Sequence, residues 1–194
     1  SSDAVGSLTT SQLTVLSSTK LNYLDLASIP GLTGSQVISL TTLQTSGLST
    51  STVAALNTTV IAALSTVGSL TTAQIVALTT NQAANLTTTT VKALTTRQIA
   101  ALENEDLAVL TSDNIAVLTS VQLQALTTSQ IAGLSSQQVF ELNSTTLQAL
   151  TTRQVAAFET RDVAAMSTVS LSNLLSTQLQ ALTTVQIAGL SSQQ

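Results

Sequence analysis

The sequence predicts an all-α solenoid, a superhelix of very short helices with one helix per eight-residue repeat. Three observations predict it: a leucine at every eighth residue, a helix-start signal that recurs in step with it, and an interior limited to aliphatic side chains. The leucines stand at 8, 16, 24, 32, 40, 48, 56 and 64. After a loss of two residues in the unit at 64–69, "LSTVGS", the series resumes at Leu70. From there it runs in steps of eight to Leu190, with only Phe158 and Met166 as replacements, both apolar. Internal repetition on this scale marks a repeat architecture.

Each unit reads approximately L-T-T-x-Q-I-x-A. Eight residues at about 100° each would turn a continuous helix by about 800°, so the leucines would drift around its surface and make no stripe. On a flat strand the first and sixth places would face opposite sides. A short helix restarted in every unit meets both objections. Thr at the second place with Gln at the fifth forms a capping box, and the apolar first and sixth places form the hydrophobic staple around it. In the unit at Leu94 the cap is Thr95 with Gln98, and the staple is Leu94 with Ile99. The second place is Thr, Ser, Asn or Asp except at Glu103, Glu159 and Leu175. The sixth is Leu, Ile or Val except at Thr45, Ala83 and, in the short unit, Ser69.

Each helix should cover roughly the third to eighth places. So short a helix is unstable alone, because nucleation costs more than the few bonds return. It must stack its apolar residues, here Leu94, Ile99 and Ala101, on neighbouring units, which defines a solenoid. Small residues at the eighth place, such as Ala101, Ala125, Gly133 and Gly189, should allow close approach. The variable fourth place (Arg97, Glu105, Asp113, Val121, Ser129) should face water. The alternative is a parallel β-solenoid, since Thr, Val and Ile favour strands. Only seven Gly, with Ala and Gln in the second half of each unit, weigh against it.

The whole chain, 1–194, reads as a single octapeptide-repeat solenoid interrupted by the two-residue deletion at 64–69. A longer period sits above the octad. "LTTRQ" at 94–98 returns at 150–154 and "QIAGLSSQQ" at 130–138 returns at 186–194, both 56 residues on. This marks a seven-octad duplication, 94–149 and 150–194. Either seven octads complete a whole number of superhelical turns, or the duplication has no structural meaning. The chain ends in mid-octad without an atypical polar cap, so the natural array is expected to continue.

Composition narrows the function. Hydrophobic content is 43%, aromatic content 2% and charged content 7%, so Thr, Ser, Gln and Asn must carry solubility. That suits an extracellular protein better than a cytosolic enzyme. Mean hydropathy is +0.41, yet no apolar run of about 18 residues exists to span a membrane. The opening "SSDAVGSLTT" has neither the basic region nor the apolar core of a signal peptide. Net charge of −4 with five scattered basic residues gives no phosphate-binding cluster, so no nucleic-acid partner is expected. Zero His and zero Cys remove the commonest metal ligand, the usual general base and all thiol chemistry.

The remaining candidates are weak. Glu103, Glu105, Asp106 and Asp113 form the densest acidic group, but without the loop pattern of a hard-cation site they read as capping and solvation. Glu159, Arg161 and Asp162 repeat part of the group with one acid exchanged for Arg. Lys20 and Lys92 read as exposed surface residues. The sequons at Asn57, Asn85 and Asn143 are expected chance matches, with Asn57 and Asn143 at the N-cap place. No catalytic, cofactor-binding or metal residue is therefore assigned, and no enzyme activity or cofactor is expected.

The unit "LTTRQIAAL" is similar to the start of a TAL-effector repeat, but the 34-residue period and base-reading dipeptide are absent. Over its whole length the chain more closely resembles the Thr/Ser/Gln-rich "LTTxQ(I/V/L)xAL" tracts of very large secreted or surface proteins of proteobacteria. That resemblance implies an adhesin-like context in which the arrays act as stalks or assembly surfaces. The expected function is structural: the stalk of a surface adhesin or the building block of an extracellular filament or layer. Its partners would be further copies, joined end to end or laterally, or other surface proteins, at a bacterial cell surface or outside the cell. The alternative is an ice-binding or ligand-binding protein that uses the regular Thr array.

Overall fold

The computed structural model describes residues 5–194. The chain packs into two compact units, Ser1–Leu102 and Glu103–Gln194. Both are built only of helix and turn; among the described residues there is no strand, which removes the β-solenoid. Twenty-one α-helices of five or six residues run from Thr10–Thr14 to Thr184–Ala188, with two 3-10 turns at Ile29–Gly31 and Val67–Ser69.

The helix boundaries follow the capping chemistry. Thr95 is in extended conformation at φ −74°, ψ 162°, and the helix occupies Thr96–Ala101, the third to eighth places. The Gln98 N–H donates to the Thr95 hydroxyl at 3.3 Å, and the Thr95 N–H donates to Gln98 Oε1 at 2.7 Å. An N-cap side chain accepts in this way in every α-helix except those behind Glu103, Glu159 and Leu175. At Leu175 half of the box survives, since its N–H still donates to Gln178 Oε1 at 2.9 Å. The exit is equally short. After the last helical residue the first-place leucine turns extended, as Leu94 does at φ −65°, ψ 138°, and the next cap follows immediately. Thr95→Ala should therefore lower stability by about 1 kcal/mol, seen as a fall in the thermal midpoint with the helical circular dichroism retained.

Burial repeats with the octad. First- and sixth-place residues such as Leu94 and Ile99 are buried, and the fourth place is exposed at Arg97, Glu105, Asp113, Val121 and Ser129. The third member of the core is not the eighth-place alanine. Ala101 is only half-buried, and the buried partner is Gln98 at the fifth place. Small eighth-place residues do permit close approach at specific points. A Cβ at Gly189 would lie 2.5 Å from Thr160 Cγ2, whereas one at Gly133 would make an ordinary 3.5 Å contact with Asn104.

The short unit also differs from its expected alignment. Val67, not Ser69, fills the sixth-place role: Val67 is fully buried and its carbonyl takes the inter-turn hydrogen bond of a sixth-place residue. The two missing residues thus fall between Leu64 and Val67. They remove the capping box, so Thr66 caps with no side-chain bond and the helix shrinks to a 3-10 turn. Thr45, a polar residue at the sixth place, is buried and its hydroxyl pairs with that of Thr66 at 2.9 Å. At Ile29–Gly31 a proline at the seventh place gives a similar 3-10 turn, again around a fully buried isoleucine.

Candidate functional site: the inter-turn glutamine ladder

The buried fifth-place glutamine is the polar group that recurs throughout the fold. Its Oε1 closes the capping box, and its amide nitrogen points away from its own helix to two backbone carbonyls one turn earlier. Gln154 Nε2 donates to Leu123 O at 2.7 Å and Leu126 O at 2.8 Å, 31 and 28 residues back. Gln138 and Gln178 use the same offsets in the second unit, and Gln44 and Gln98 use them in the first. Both amide hydrogens and the carbonyl are then satisfied. That condition lets a polar side chain remain in an aliphatic core at little cost.

The offset measures the superhelix within each unit. Twenty-eight residues are three and a half octads: each helix packs on the third helix before it, and its glutamine reaches on to a carbonyl at the end of the fourth, as Gln154 does to Leu123. Two such spacings make 56 residues, the distance between the duplicated segments. Where the span crosses the short unit the register tightens: Gln74 and Gln82 reach back 26 and 29 residues. Only the local half of the glutamine's work is visible in the sequence pattern. Its distant partners are backbone carbonyls, which carry no sequence signature; the frequent Gln at the fifth place is explained equally well by the capping box alone.

Other fifth-place residues make partial versions of the same bond. The Thr90 hydroxyl reaches one carbonyl, Ala62 O, at 2.7 Å. Asp162 reaches none. It is fully buried, its Oδ1 accepts from the Ser136 hydroxyl at 2.7 Å and faces Arg161 Nε at 3.5 Å, and its Oδ2 has no hydrogen-bond partner. Arg161 also pairs with Glu159 at 2.9 Å on the surface.

The acidic group at 103–113 is not uniformly solvated, contrary to expectation. Glu103, Glu105 and Asp113 are exposed, and Glu103 makes no side-chain cap, but Asp106 is buried, as are the fifth-place residues of the neighbouring octads, Gln98 and Asn114. No group of three or more potential metal-ligating side chains occurs among the described residues. Lys20 and Lys92 are exposed as expected. Asn57 and Asn143 are N-caps, accepting from Val60 N–H at 2.9 Å and Thr146 N–H at 3.0 Å. Asn85 is exposed and donates to Asn81 O at 2.8 Å. Second-place threonines are committed to capping, which leaves the third-place hydroxyls, as at Thr72, Thr80, Thr128 and Thr152, facing solvent.

The arrangement defines a helical octapeptide-repeat protein whose buried fifth-place glutamines join its own turns. The ALTTAQ repeat model matches residues 99–136 and 155–192, two segments whose starts differ by the same 56 residues. No curated protein matches the chain. No helix among the described residues is long and apolar enough to cross a membrane.

Proposed function

We propose that this is a non-enzymatic structural protein, the stalk of a surface adhesin or a building block of an extracellular filament or layer. The observation that carries the reading is the 28-residue glutamine register. Within each unit it joins one turn to the one before by the same bonds, so length can be added without altering the chemistry of the interior. Low charge, with solubility carried by Thr, Ser, Gln and Asn, supports a place outside the cell or on a bacterial surface. The recurrence of an ALTTAQ repeat match supports the repeat character. An ice-binding surface would require threonines on one flat face. A step of two-sevenths of a turn per octad sends successive third-place threonines to different faces, which disfavours that alternative.

Light scattering and negative-stain imaging of the purified chain test the proposal. Narrow particles of uniform width, whether discrete or joined into polymers, are the expected result. A compact globule would end it.

A further inference from the structure

At Asp162 the ladder of the second unit has acceptors and no donor. This residue stands where Gln138, Gln154 and Gln178 each send an amide nitrogen to carbonyls 31 and 28 residues back. The corresponding carbonyls are those of Ile131 and Leu134. Both residues are 1% exposed, and no described hydrogen bond reaches Leu134 O. Asp162 is fully buried and faces the same turn. Its Oδ1 accepts from the hydroxyl of Ser136, two residues after Leu134, at 2.7 Å, while its Oδ2 has no hydrogen-bond partner. In the neighbouring octad the Gln154 amide nitrogen lies 2.7 and 2.8 Å from its two carbonyls. Asp162 ends one methylene short of that position, which leaves it between the carboxylate and the two carbonyls.

Buried oxygens without a donor call for a hydrogen-bonding group or an ion, and the local charge selects an ion. Arg161 faces Asp162 Oδ1 at 3.5 Å, but it also pairs with Glu159 at 2.9 Å, so the three groups together carry one net negative charge. The helices packed on Thr160–Ala165, namely Ser136–Phe140 and Thr184–Ala188, contain no charged residue. We propose that a small monovalent cation, potassium or ammonium, binds here, held by Ile131 O, Leu134 O and Asp162 Oδ2. Its single charge balances the deficit, and toward the carbonyls it takes the part of the amide nitrogen. Divalent ions do not fit. Calcium takes about six to eight oxygens and magnesium keeps several waters, whereas three protein oxygens converge in this enclosed place. The site consists of one carboxylate and two main-chain carbonyls, so it needs no cluster of ligating side chains. It concerns the interior of the solenoid and stands apart from the stalk reading.

Thermal melts in potassium, ammonium and tetramethylammonium chloride at equal ionic strength test this, the last cation being too large to enter. The parent's unfolding midpoint should be higher by about 5 °C in potassium or ammonium, because the cation binds the folded state alone. Asp162→Gln brings its own donor and should melt at one temperature in all three salts, above the parent in tetramethylammonium and level with it in potassium. Thallium(I), a stand-in for potassium, should give an anomalous-scattering peak beside Leu134 O in crystals of the parent and none in the variant. A parent midpoint that is the same in all three salts overturns the proposal. So does a salt response that persists in Asp162→Gln, which places the cation elsewhere in the chain.

Discussion

Replacing Gln154 with Leu should lower the unfolding midpoint by about 10 °C. The volume is nearly kept, so the loss comes from hydrogen bonding. Leu126 O would be left buried without the donor now 2.8 Å away, and an orphaned buried carbonyl costs about 1–3 kcal/mol. Leu123 O retains a second bond, from the Leu126 N–H at 3.1 Å, so its loss is smaller. The Thr151 N–H, 2.9 Å from Gln154 Oε1, lies under an exposed cap and can turn to water. Together these make about 3 kcal/mol, and for a chain of this size about 2–4 °C follows from each. Gln154→Glu separates the two roles of the residue. A glutamate suffices for a capping box, so a purely local role predicts almost no loss. The ladder predicts a loss larger than with leucine, because a carboxylate would face two carbonyls now within 2.8 Å of the amide. Thermal melts of both variants decide the matter: a benign Gln154→Glu would sink the ladder as a source of stability.

The division between what the sequence reveals and what it hides follows the range of each interaction. Cap, box and staple act between residues three to five apart, so Thr95, Gln98, Leu94 and Ile99 announce the helix Thr96–Ala101 to the residue. The exceptions are legible for the same reason, since Glu103, Glu159 and Leu175 fail the local pattern and make no side-chain cap. The inter-turn bonds span 28 and 31 residues and end on backbone atoms, which every residue possesses. Nothing in the pattern distinguishes a fifth-place glutamine that only caps from one that also reaches the previous turn. The same blindness made Ala101 look like core and Asp106 like surface, although the structure shows Ala101 half-buried and Asp106 enclosed. The short unit failed for a different reason. Counting from its leucine puts Ser69 at the sixth place, but burial selects Val67, since a valine fills the aliphatic stack and a serine does not.

Asp162→Gln should stabilise the second unit, raising its unfolding midpoint by about 5 °C. At this fifth place the register points to the carbonyls of Ile131 and Leu134, 31 and 28 residues back, the offsets used by Gln138, Gln154 and Gln178. Asp162 is one methylene shorter than glutamine and brings a second acceptor where a donor is wanted, which is why its Oδ2 is buried without a partner. Glutamine would supply two hydrogens to the carbonyls and an acceptor to the Glu159 N–H, forming the half-box that Leu175 makes with Gln178. Removing the orphan and adding these bonds contributes about 1–3 kcal/mol. Against that stands the loss of the Ser136 hydroxyl bond at 2.7 Å; Ser136 is half-buried and can turn to water, so the balance stays favourable. Asp162→Asn is the matched control, because it removes the charge without restoring the reach and should give a smaller gain. Denaturant melts that rank asparagine at or above glutamine would show that relief of buried charge, and not completion of the ladder, governs this position.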